Sequence, residues 1–221
     1  MKKVTYLILT GIICVFPSCK SPNSEYEEYI VPNGLYYPGK ALDLEAFPGR
    51  ERIEITWKSG TDPNVVKARL SWNSNTKWED VDVAPGDEVI RRMLEPMAEN
   101  TYSFVVRTYD AEGNVSVPVE VISAVYGDIY ERSLQNRSLK SVMLDGAGLH
   151  LEWESAETTE TGLELEYTNT GGVLKKDVVP ASETSVTIPI KAGEAVYYTT
   201  MYRPEKTAID IFRAPRIKVL Y

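Results

Sequence analysis

The sequence predicts an all-β protein: two tandem β-sandwiches that follow a signal peptide and a tether. Three observations predict this. Apolar and polar residues alternate in short runs, the period of a strand with one buried face. Gly, Pro, Asn and Asp interrupt those runs about every eight to twelve residues, the spacing that sandwich strands require. The order of runs then recurs. Trp57 precedes Tyr102 by 45 residues and Trp153 precedes Tyr197 by 44, which marks a tandem repeat with a period of about 95 residues.

The most legible stretch is 101–121. Tyr102, Phe104, Val106 and Thr108 alternate up to Asp110-Ala111-Glu112-Gly113-Asn114, and Val115, Val117, Val119 and Val121 alternate beyond it. This is a β-hairpin. Pro118 lacks an N–H, so the returning strand is expected at a sheet edge or bent there. Five strands precede the hairpin. Residues 41–47 alternate up to a Pro48-Gly49 turn, and 52–57 place Ile53, Ile55 and Trp57 on one face. Val66, Ala68, Leu70 and Trp72 share a face of the third strand, and 73–76 turn the chain. Val81 and Val83 mark the fourth strand and 89–94 the fifth.

The second copy opens with Leu149, Leu151 and Trp153, followed by Leu163, Leu165 and Tyr167. Gly171-Gly172 turns into a strand at 173–179; 185–190 and 196–202 follow, and 209–220 closes the domain. The expected domains are therefore 40–125 and 139–221. The mixed charge of 126–138 between them suits a short helical connector.

At the N-terminus, Lys2 and Lys3 precede an apolar run, 4–15, shorter than the about 20 residues of a spanning helix. Residues 1–18 read as a secretory signal peptide. Phe16-Pro17-Ser18-Cys19 resembles the lipobox of bacterial lipoproteins, with Phe16 where the strict motif has Leu. The resemblance implies cleavage before Cys19 and lipid attachment to it. No cysteine follows Cys19, so the exported chain holds no intramolecular disulfide. Residues 19–39, with Pro22, Pro32 and Pro38, read as a lipidated cysteine and flexible tether.

Charge and composition exclude several functions. Loss of Lys2 and Lys3 with the signal peptide takes the formal net charge from −8 to −10. An acidic body does not suit nucleic acid or electrostatic docking on anionic lipid. His150 is the only histidine, which rules out multi-His zinc sites and, with no cysteine in the folded body, Cys–His catalysis. It lies between inward Leu149 and Leu151, so a solvated strand histidine is expected, beside Glu152. Glycoside hydrolysis needs two carboxyls about 5–10 Å apart across a cleft, and short sandwich loops do not build one. No enzyme activity, metal or cofactor is expected.

Aromatic residues are the better lead, because sugars stack their apolar faces on exposed rings. Trp57 and Trp153 share parity with inward residues and belong to the cores. Trp72 follows Leu70 in parity, which places it in the core or at the sandwich end. Val81 and Val83 set the inward parity of their strand, so Trp78 points outward with Asp80 and Asp82. The candidate ligand-binding residues are Trp78, Trp72, Asn73 and Asp80, with a ring packed on the tether or the second domain as the alternative for Trp78. In the second domain Tyr198 and Tyr202 share a face on which either is a candidate for exposure.

Ile55-Thr56-Trp57, together with 102–118, resembles the fibronectin type III pattern: a buried Trp on the second strand, a Tyr opening the sixth, and a Gly-containing turn before Ser116-Val117-Pro118. Leu151-Glu152-Trp153 and Ala214-Pro215 match it in the second copy. The usual corner before the sixth strand is replaced by Met97-Ala98-Glu99-Asn100 and by Ile190-Lys191-Ala192-Gly193, which argues against a standard tyrosine corner. The whole chain resembles a family of Bacteroidota lipoproteins through Leu35-Tyr36-Tyr37-Pro38-Gly39, Gly60 to Ala68 with Asp62-Pro63, and Tyr126-Gly127-Asp128. That resemblance implies a lipid-anchored outer-membrane protein, on the cell surface rather than the periplasmic face. Its implied milieu is glycan capture, with glycan or outer-membrane uptake proteins as partners. The alternative is a spacer, scaffold or adhesion module with no small-molecule ligand. If Cys19 carries the anchor, Cys19→Ala is expected to release the protein from membranes; unchanged fractionation contradicts the anchor.

Overall fold

The computed structural model describes residues 34–84 and 89–221. The expectations for the signal peptide, for Cys19 and for the tether up to residue 33 lie outside the described residues.

The first sandwich contains β1 (Leu42–Pro48), β2 (Ile53–Lys58), β3 (Val65–Trp72), β4 (Lys77–Asp82), β5 (Val89–Leu94), β6 (Asn100–Asp110) and β7 (Val119–Val125). Its sheets are β1-β2-β5 and β4-β3-β6-β7, antiparallel throughout. Strand alternation puts Ile53, Ile55 and Trp57 of β2 against Ala68, Leu70, Phe104 and Val106 of the facing sheet. One expected parity fails. The β3–β6 register shifts between Val65 and Lys67, so Val65 is buried and Val66 is 43% exposed. An inserted residue flips every side chain on one side of it, which no single-strand pattern reveals.

The hairpin turn is held by Asp110, whose carboxylate accepts from the backbone N–H groups of Glu112 and Asn114 and from the Asn114 side chain. This is turn chemistry. β7 begins after Pro118 and lies at a sheet edge, where a missing N–H costs no ladder bond. A tyrosine corner forms despite the altered residues before it: the Tyr102 hydroxyl donates to the Ala98 carbonyl at 3.0 Å. That bond needs only a carbonyl four residues upstream, which any side chain supplies. The last residues of the expected tether are pinned. The Gly39 N–H donates to Asp62 and the Thr108 hydroxyl donates to the Gly39 carbonyl, both at 2.6 Å.

Beyond β7 come α1 (Asp128–Ser133), β8 (Leu139–Asp145), β9 (Gly148–Trp153), β10 (Glu160–Thr168), β11 (Leu174–Pro180), β12 (Ser185–Ile188), β13 (Val196–Tyr202), β14 (Phe212–Arg213) and β15 (Ile217–Lys218). The sheets are β12-β9-β8 and β11-β10-β13-β14, with β15 also paired to β13. Leu149, Leu151, Trp153, Leu163, Leu165 and Val196 fill the second core. Three expectations need correction. The closing run 209–220 is two short strands rather than one, interrupted at Ala214-Pro215-Arg216, where proline cannot donate to a ladder. Tyr198 and Tyr202 are both buried, and their hydroxyls donate to the Arg137 and Gln135 carbonyls. The inward positions of β13 are Val196, Tyr198, Thr200 and Tyr202, so Tyr197 faces the opposite side and is not the counterpart of Tyr102. A buried ion pair, Arg137 Nε to Glu160 at 2.6 Å, joins the chain before β8 to β10. The Arg137 guanidinium also donates from Nη1 to the Glu183 carbonyl at 3.1 Å, so each charge has its counter-ion in the interior, while Nη2 is buried without a hydrogen-bond partner.

Residues 126–138 do more than connect. Tyr126, Tyr130 and Leu134 pack on Tyr202, Phe212 and Ala214 as a third small core. The Glu99 carboxylate accepts from the Ile129 and Tyr130 N–H groups, supplying the helix-start acceptor that Gly127 lacks. Across the junction, the Arg50 N–H donates to Asp210 at 2.8 Å, and the Arg52 guanidinium donates twice, at 3.0 and 2.7 Å. Arg50 also pairs with Glu131 and lies 4.8 Å over the Phe212 ring. The Ile209 N–H donates to the Pro48 carbonyl at 2.8 Å. Gly49 permits this approach: a Cβ there would lie 2.4 Å from an Asp210 oxygen and 2.9 Å from Ile209. Residues Tyr37–Tyr221 consequently form one compact unit.

The Arg52 guanidinium holds the Asp210 carboxyl below the usual carboxylate range, and Arg50 does the same for Glu131. A carboxyl with a lowered folded pKa contributes stability that is complete above its unfolded value, about 4, and lost as pH falls through the folded one. Asp210→Ala is expected to cost about 1–2 kcal/mol at neutral pH, moderated because Arg52 is partly solvated. Asp210→Asn should flatten the loss of stability as pH falls below about 4 in urea-unfolding series. An unchanged acid limb contradicts the clamp.

Candidate functional site

The β3–β4 hairpin carries all four candidate residues and separates them by register. Ser71 pairs with Trp78, Arg69 with Asp80 and Lys67 with Asp82, and residues directly opposite each other point to the same face. Lys67 also stands opposite Tyr109 on β6. The outer face of this sheet thus gathers Trp78, Asp80, Arg69, Lys67 and Tyr109.

Trp78 is 56% exposed, with the Arg69 guanidinium 5.4 Å from its ring centre. Arg69 also approaches Tyr109 at 5.6 Å, and the Lys67 ammonium lies 4.8 Å over the same ring. These are cation–π distances. Asp80 fixes the arrangement. It accepts two bonds from Arg69, at 2.6 and 2.8 Å, and one from Lys67 at 3.4 Å. Those bonds hold its carboxyl below the usual range, Arg69 contributing most. Asp80 therefore orients the cations, and Trp78 presents the free aromatic surface.

Trp72 and Asn73 lie elsewhere. Trp72 stands opposite Lys77, packs partly buried on the first core, and shares the inward parity of Leu70. With Asn73 it lines a cleft of about 350 Å³ at the end of the first sandwich, together with Glu79, Met93, Glu95 and Tyr102. The hairpin tip between the two places has Asn73, Ser74 and Asn75 at φ of 54°, 55° and 61°. Left-handed backbone is unfavourable for residues with a Cβ, least so for Asn. The Asn73 amide donates to Thr76 at 3.0 Å and the Ser71 hydroxyl to Asn75 at 2.7 Å, which offsets part of that cost.

Sequence parity found Trp78 and Asp80 but not Arg69, Lys67 and Tyr109. Outward parity was legible for Lys67 and Arg69; that Tyr109 joins them depends on the β3–β6 register, a pairing of strands distant in the chain. Elsewhere, His150 approaches Asp145 at 2.9 Å and the Thr187 hydroxyl at 2.7 Å. Among the described residues no group of His, Cys, Asp and Glu is disposed to hold a metal, and no helix is long and apolar enough to cross a membrane.

The structure is similar to the chicken CNTN1 FN1–FN3 domains, at 15% identity and a TM-score of 0.47, covering 84% of this chain and 66% of that one. It is also similar to a two fibronectin type III domain segment from chicken tenascin, at 13% identity and a TM-score of 0.33, covering 82% of this chain and 98% of that one. No curated protein matches the chain. The model of DUF4998, a domain of unknown function, matches residues 19–212, and the chain belongs to that family.

Proposed function

We propose that this protein is a non-catalytic binding module, lipid-anchored through Cys19 at the cell surface of the outer membrane, accessory to glycan capture and uptake in Bacteroidota. The observation that carries the reading is Trp78, 56% exposed on a sheet face with Arg69, Asp80 and Tyr109 beside it. An open indole offers a stacking surface for the C–H face of a sugar, and flanking guanidinium and carboxylate groups exchange hydrogen bonds with its hydroxyls. A face built on paired strands holds such groups in place better than a loop does. The tether and lipid would set this face away from the membrane, within reach of uptake proteins. A spacer role without a ligand is the second reading. It is favoured by the Arg50 and Arg52 bonds to Asp210, which fasten the two sandwiches together.

A glycan array probed with residues 21–221 separates the two. Binding to at least one plant, host or microbial glycan is expected, with a loss of about tenfold or more in Trp78→Ala. That variant should keep its unfolding free energy within about 1 kcal/mol, because the ring is exposed. Silence across the array rejects the glycan reading and leaves the spacer.

A further inference from the structure

A cleft lies beside the segment that connects the sandwiches, apart from the Trp78 face. This cleft of about 390 Å³ opens between the α1 segment, which supplies Tyr126, Tyr130 and Gln135, and the second sandwich, which supplies Glu157, Thr159 and Tyr202. Its volume falls in the range of small-molecule sites, which favour domain interfaces.

The lining of the cleft is of two kinds. Part of it is aromatic, and its rings are fixed before any ligand arrives. Tyr126 and Tyr130 are 4.9 Å apart and tilted by 58°. The Tyr126 hydroxyl donates to Glu205 at 2.8 Å, and Tyr130 stands edge-on to Phe212 at 5.1 Å. Rings held this way lose little freedom when they are covered. Burial pushes the Tyr202 hydroxyl up to about 12, so that phenol is neutral at ordinary pH. The rest is polar: the exposed side chains of Gln135 and Glu157 and the half-buried Thr159. An amide and a hydroxyl each donate and accept, and a carboxylate accepts. Neither lysine nor arginine lines the cleft among the described residues, so a phosphate or carboxylate ligand would meet no countercharge. A simple cation would use the acceptors and leave the amide donors without partners.

We propose that this cleft binds a neutral pyranose ring, its C–H face on Tyr126 and Tyr130 and its hydroxyls on Gln135, Glu157 and Thr159. A sugar ring has what both kinds of lining ask for: an apolar face and an edge of groups that donate and accept. Because Tyr126 and Tyr130 belong to the connecting segment while Glu157 and Thr159 belong to the second sandwich, an occupied cleft bridges that segment and the second sandwich.

The test is NMR of the full chain in detergent, with ring-labelled tyrosine. The probes are methyl glycosides of glucose, galactose and mannose, N-acetylglucosamine, and choline as a cation control. Each is added to about 50 mM, enough to load a millimolar site. The Tyr126 and Tyr130 ring signals should move with at least one sugar. Gln135→Ala and Glu157→Ala, both at exposed side chains and so compatible with folding, should weaken that response about tenfold. Trp78→Ala should leave it unchanged, which distinguishes this cleft from the outer face. No movement with any of the sugars overturns the proposal. So does movement with choline alone, a response untouched by both cleft variants, or one abolished by Trp78→Ala.

Discussion

The close approach of Gly49 to Asp210 is the constraint on which the rest of the molecule depends. A turn between the first two strands must come near enough for the Arg50 backbone N–H and the Arg52 guanidinium to reach one carboxylate, and only a residue without a Cβ allows it. Once that contact is made, Arg50 is placed over Phe212 and against Glu131. Glu99 reaches the start of the helix, and Tyr126 and Tyr130 close over the end of the second sandwich. Two domains of this size joined by a bare linker would reorient freely. Here the connecting segment is itself a small core.

That constraint separates two jobs within one chain. The outer face of β4-β3-β6-β7 points away from the first core and presents Trp78 among ordered charges, whereas the connecting segment and the second sandwich form a cleft between them. Asp80 and Asp210 play parallel parts. Each carboxylate binds a guanidinium through both of its oxygens, which accept from Nε and Nη2, and fixes its direction; at Asp80 the cation so fixed, Arg69, meets the Trp78 and Tyr109 rings. Bidentate pairing gives this geometric control even where solvent limits the energy it contributes.

Much of the scaffold was legible because burial and strand period coincide. Ile53, Ile55, Trp57, Leu149, Leu151 and Trp153 sit where alternation puts them. The same parity turned Trp78 outward. Strand period does not determine the structure where an irregularity intervenes or where partners are distant in the chain. The shift at Val65 exchanges the faces of Val65 and Val66. The 44-residue spacing that made Tyr197 look like Tyr102 is off by one relative to the inward face of β13. β8 was not recognised, because Met143 and Leu144 are adjacent and exposed and leave no alternation to see. Arg50 and Asp210 are 160 residues apart, and no local pattern announces a pair like that. The junction core and its cleft follow from those long-range contacts, so they were invisible in the sequence for the same reason.

Residual dipolar couplings of the backbone amides in residues 37–221 test most directly whether the sandwiches act as one body. A single alignment tensor should fit the amides of β1–β7 and of β8–β15 together, with the junction geometry described above. Separate tensors of different magnitude would show the two sandwiches moving independently and would contradict the account.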